Sequence, residues 1–144
     1  MNIQGNKDFI DNTGEALNLL KGLPELDFIE EHIKLIKQAE SSGMDAKNKI
    51  PTSEIGNTYL EDPAWYASFL AHEAYHSYLY KEGIKKGILD DSNWVGRQAE
   101  IKCLKFQLAV IKKITKDKSL IGEVRNLLNN PGNYFEIEKD YRDW

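Results

Sequence analysis

Cysteine is almost absent from this chain: among 144 residues, Cys103 stands alone. One thiol cannot close an intramolecular disulfide, so a fold held by its own apolar core in a reducing compartment is expected. Long apolar runs are missing too, and no stretch approaches the ~20 residues that span a bilayer. The opening segment, MNIQGNKDFIDNTGEALNLL, has no basic stretch leading into an apolar one. A secretory signal is therefore not expected, and a cytoplasmic location is the default. Charge of one sign is also lacking: the formal net charge is −4, with lysines and glutamates interspersed. A nucleic-acid binder would present a basic face, so that class is not expected either.

What is present is an ordinary globular composition, 41% hydrophobic and 29% charged, in a length that suits one domain over residues 1–144. The apolar spacing predicts helices over 7–21 and over 24–41, the second opening at Pro24 and stopping at Gly43. Residues 44–60 are polar and sparse in apolar side chains; short strands are expected at 47–50 and 54–60, joined through Pro51-Thr52-Ser53. Asp62-Pro63 reads as an N-cap and first turn, and the helix it opens should end at Gly83. Further helices are expected over 92–114 and 119–128, before the turn Asn129-Asn130-Pro131-Gly132. The fold class is α+β, mainly helical, with a small sheet before the helix that carries the chemistry.

That chemistry sits in HEAYH, residues 72–76. Residues four apart on a helix lie nearly above one another, so His72 and His76 can offer their imidazole nitrogens to one ion. Glu73 flanks the same face and is placed to take a proton from a metal-bound water and pass it to a leaving amine. Zinc suits two imidazoles and a carboxylate, although cobalt, nickel or manganese would also accept that set. A helix that merely packs or exposes two histidines is the alternative.

A catalytic zinc site needs a third protein ligand, and Glu100, in RQAEIKCLKFQLAVI, is the candidate. It falls on the apolar side of its helix, with Ala99, Cys103 and Leu104, where a carboxylate without a partner would be costly. Pairing with Arg97 or Lys102 is the alternative account. Glu82 and Asp90 compete by type but lie at a helix end and in a connector. His32, next to Glu31 in a polar stretch, is a further candidate and reads better as a solvated histidine.

With these residues in place, the sequence resembles the gluzincin metallopeptidases, in particular their minimal forms. The resemblance rests on HEAYH, on Gly83 at the end of the helix, and on Glu100 followed by Cys103 where many relatives have a small residue. It covers residues 45–115. It implies zinc on His72, His76 and Glu100, Glu73 as general base, and a peptide or protein substrate. It also implies a sheet whose edge strand, around Ser53–Leu60, pairs with the extended peptide. Leu104 stands where many gluzincins have an acidic residue orienting a zinc histidine. Tyr59, Tyr78 and Tyr134 are candidates by type for stabilising the transition state. The aromatic and acidic tail, residues 133–144, reads slightly better as packed on the helices by Tyr134, Phe135, Tyr141 and Trp144; the alternative is that it covers or lines the cleft. A latent or catalytically idle zincin-fold protein acting as a binding or regulatory module is the alternative function.

Overall fold

A computed structural model describes residues 1–57 and 62–130. The expectations for the tail, for Tyr59 and Tyr134, and for residues 58–60 of the second strand lie outside the described residues. Among the described residues nine elements follow in order: β1 (Asn2–Gln4), α1 (Lys7–Leu19), α2 (Pro24–His32), β2 (Leu35–Gln38), β3 (Gly43–Asp45), β4 (Thr52–Ile55), α3 (Pro63–Lys85), α4 (Arg97–Ile114) and α5 (Lys118–Asn129). The chain is an α+β domain, with all its described strands ahead of α3.

The sheet order is β1-β2-β4-β3. β1 and β4 flank β2 in parallel, and β3 closes the far side antiparallel to β4, pairing Met44 with Ser53. β4 is thus an interior strand, so the expected pairing of a peptide along Ser53–Leu60 is not available at residues 52–55. The edges among the described strands are β1 and β3.

Several boundaries differ from the sequence reading, each for a physical reason. The helix expected over 24–41 stops at His32, and Ile33 turns extended (φ −118°, ψ 123°). Its helical spacing continued through Ile33 and Ile36, but β-branched residues with Leu35 between them serve a strand equally well. Pairing with two neighbours decides for the strand. Gly43 ends no helix and instead opens β3, while 47–50 is the connector between β3 and β4. The three-residue β1 carries too short a pattern to be read from sequence.

α3 does begin as expected. Asp62 Oδ1 accepts from the amides of Ala64 (2.8 Å) and Trp65 (3.1 Å). It does not stop at Gly83. The amide of Gly87 donates to Ile84 O and that of Ile88 to Gly83 O, a Schellman ending with Gly87 at φ +74°. Gly83 serves packing: a Cβ there would lie 3.0 Å from Asn93 Cβ, tighter than an ordinary contact. Asn93 in turn donates to Leu79 O at 2.6 Å, tying the following loop to the helix. α4 starts at Arg97 rather than 92, because Gly96 breaks the chain direction at φ +102°.

α3 packs against α1, α2, α4, β3 and β4, which buries it on nearly every side. Phe69, Leu70, Ala71 and Ala74 join Phe9, Ile29, Ile36, Met44 and Cys103 in one core. Tyr66 reaches through that core to Thr13, oxygen to oxygen at 2.7 Å. None of the described helices is long and apolar enough to cross a membrane.

His32 is not the solvated residue expected from sequence. It is buried, its Nδ1 lies 3.2 Å from Lys81 Nζ, and its ring packs against Phe28 and Tyr78. Burial, helped by the Lys81 ammonium, pushes its pKa below the usual value near 6.5. The folded protein therefore keeps His32 neutral where the unfolded chain would bind a proton. Its stabilising contribution is complete above pH ~6.5 and is lost as pH falls through the folded value. We expect His32→Phe to show a shallower fall of the urea midpoint than the wild type between pH ~7 and ~5. Parallel curves would remove His32 from the acid response.

Candidate metal centre

α3 and α4 pack directly on one another and bring the predicted ligands together. Glu100 Oε2 lies 3.2 Å from His72 Nε2, and Oε1 lies 3.1 Å from His76 Nε2. The two Nε2 atoms are 3.2 Å apart. His72, Glu73, His76 and Glu100 are 0, 0, 1 and 3% exposed, so this group faces little competing solvent. Glu100 thus meets the imidazoles, as its position on the apolar stripe predicted.

The tautomers follow from what lies behind each ring. His76 Nδ1 is 2.7 Å from the Trp94 carbonyl, which can only accept, so Nδ1 carries the proton. His72 Nδ1 is 3.1 Å from Gln107 Oε1. The amide of Gln107 is oriented in turn: its Nε2 donates to Ser68 Oγ (3.2 Å), whose hydroxyl donates to Trp65 O (2.8 Å). This relay makes Gln107 Oε1 an acceptor and places the His72 proton on Nδ1. With Nδ1 of each ring turned to a carbonyl oxygen, both Nε2 atoms face the Glu100 carboxylate.

Two imidazole nitrogens and a carboxylate gathered at 3.1–3.2 Å are held together by a cation shared among them. A proton is one solution. Burial opposes charge on His76, but Cys103 and Glu100 outweigh it and raise its pKa well above the ordinary value. Burial likewise works against ionised Glu100, and His76 and His72 reverse it, holding the carboxyl well below the usual range.

A divalent metal is the other solution, and the donor set fits one. Tetrahedral zinc with N and O bonds of about 2.0–2.2 Å separates neighbouring ligand atoms by about 3.3–3.5 Å. The observed separations are a few tenths shorter. The backing of each Nδ1 by a carbonyl oxygen is also the arrangement that orients metal-binding histidines.

These supports answer the question left by Leu104, which is buried and apolar and orients nothing. Gln107, three residues further along α4, is what meets the His72 ring. Its signal in the sequence was a polar residue on the Cys103–Val110 apolar stripe. Trp94 acts through its backbone, for which a sequence holds no sign. Its position is fixed by the indole donating to Asp91 Oδ1 (3.2 Å) and by edge contact with Tyr80, while Asp91 bridges to Lys47 at 2.8 Å. We expect Gln107→Leu, which preserves volume, to weaken zinc binding roughly 10–100-fold in chelator competition. Unchanged affinity would show that the relay does not orient His72.

The remaining candidates lie elsewhere. His32 sits among Phe28 and Tyr78, Glu82 pairs with Lys85 at 2.9 Å, and Asp90 accepts from Ser92. Tyr78 packs in the same aromatic cluster, against Phe28 and Tyr75. One donor was not anticipated. Cys103 Sγ and the donor atoms of His72 and His76 all lie within 4.8 Å of one another, and all three residues are buried. Set beside known proteins, the chain matches no family, no curated protein and no solved structure.

Proposed function

We propose that this protein is a zinc-dependent metallopeptidase of gluzincin type, with zinc held by His72, His76 and Glu100. The observation that carries the reading is the convergence of two Nε2 lone pairs and one carboxylate at 3.1–3.2 Å, each imidazole fixed by a carbonyl behind it. Zinc in such a set supplies a Lewis acid and lowers the pKa of a bound water toward ~7.

The chain's own residues do the rest. Glu73, next in sequence to His72 and buried with it, takes the proton of the attacking water and delivers it to the leaving amine. Gln107 and the Trp94 carbonyl keep both imidazoles in the tautomer that turns Nε2 toward Glu100 and the metal. An extended peptide finds a strand edge at β3, which packs on α3.

The test is cleavage of an unstructured peptide mixture, read by mass spectrometry, with zinc-loaded and chelated protein. Chelator-sensitive cleavage is expected. A folded, zinc-loaded protein that leaves every peptide intact would favour the second reading, a binding or regulatory module on the same site, to which the near-complete burial of the four residues also lends support.

A further inference from the structure

Among the described residues, Cys103 is a reactive group near the imidazoles to which the proposed reaction gives no work. It stands three residues after Glu100 on α4, so both side chains leave the same face of the helix toward α3. It is fully buried. Its sulfur shares the 4.8 Å cluster with the His72 and His76 donor atoms. A thiol in that place is a ligand in waiting, because thiolate is among the strongest zinc donors.

We propose that Cys103 is a fourth protein ligand, so that the resting site is closed by His72, His76, Glu100 and Cys103. The proposal rests on the preceding assignment of the first three as ligands. Coordination replaces the thiol proton: the S–H bond breaks, the proton leaves to solvent, a sulfur–metal bond forms, and nothing is oxidised or reduced. Sites with four protein ligands are structural, whereas hydrolytic ones keep a position for water. Cys103 and water then compete for one place, and the chain's intrinsic rate is held down by its own thiolate. Removing the thiol opens the position, so Cys103→Ala should cleave peptides faster than the wild type.

Cobalt(II) provides a readout independent of turnover. A thiolate bound to cobalt gives a charge-transfer absorption in the near ultraviolet that nitrogen and oxygen ligands do not. Full-length protein loaded with one equivalent of cobalt should show that band, and Cys103→Ser, still binding cobalt, should lose it. Cobalt bound with visible d–d bands but without the charge-transfer band in the wild type would overturn the fourth ligand and leave the three-ligand site standing. Failure to retain cobalt at all would overturn both. Because the wild-type spectrum alone decides, poor folding of the serine variant would not rescue the proposal.

Discussion

Replacing Glu73 by glutamine should lower peptide cleavage by roughly 10²–10⁴-fold while zinc remains bound at one per chain. Glutamine keeps the shape and burial of the side chain but removes the basic oxygen pair. The loss should appear in kcat, because the proton transfer belongs to the transition state and not to substrate binding. Measuring the effect of Glu73→Gln in both the wild type and Cys103→Ala guards against a low starting rate: the fold-loss should be similar in each. Equal cleavage with and without the substitution would remove Glu73 from its role, and joint loss of zinc and cleavage would make it part of the metal site instead.

His76→Ala should abolish stoichiometric zinc binding. His76 meets Glu100 at 3.1 Å, is anchored by the Trp94 carbonyl at 2.7 Å and belongs to the three-ligand and the four-ligand set alike, so its loss leaves neither complete. Zinc that binds only the folded chain stabilises it by about 4 kcal/mol at a thousandfold excess over Kd. The wild type should therefore melt at a clearly higher temperature with zinc than with chelator, and the alanine variant should show no such difference. An equal zinc-induced rise in both proteins would place the metal elsewhere. The same pair of melts with Glu100→Gln should give a reduced but related loss, since the amide keeps one neutral oxygen donor.

What was legible in the sequence is written in side chains on two long helices, α3 and α4. Asp62-Pro63 announced the start of α3, and the four-residue spacing put His72 and His76 on one face. Glu100 was legible because a carboxylate on an apolar stripe demands a partner. β2 was hidden by a coincidence of periods: Ile33, Leu35 and Ile36 suit a helix or a buried strand, and only pairing with β1 and β4 decides. Gly83 was misread because its conformational freedom and its lack of a side chain are different assets, and here the second matters.

The supports of the site were less visible for a different reason. Trp94 contributes a backbone oxygen, which any residue could supply, and its placement depends on Asp91, Tyr80 and Lys47 acting together. Gln107 did break the apolar stripe of α4, yet its meaning required Ser68 and His72 to be seen on the facing helix. His32 was misjudged from its acidic neighbours, since a polar stretch of sequence can still turn one side chain inward beneath Phe28 and Tyr78.

The central claim is that a metal ion belongs among His72, His76 and Glu100, and anomalous scattering from zinc-loaded crystals tests it most directly. Data collected above and below the zinc absorption edge should place a peak within bonding distance, about 2.0–2.2 Å, of both Nε2 atoms and the Glu100 carboxylate. Zinc-loaded crystals with no edge-dependent peak among these three residues would contradict the account.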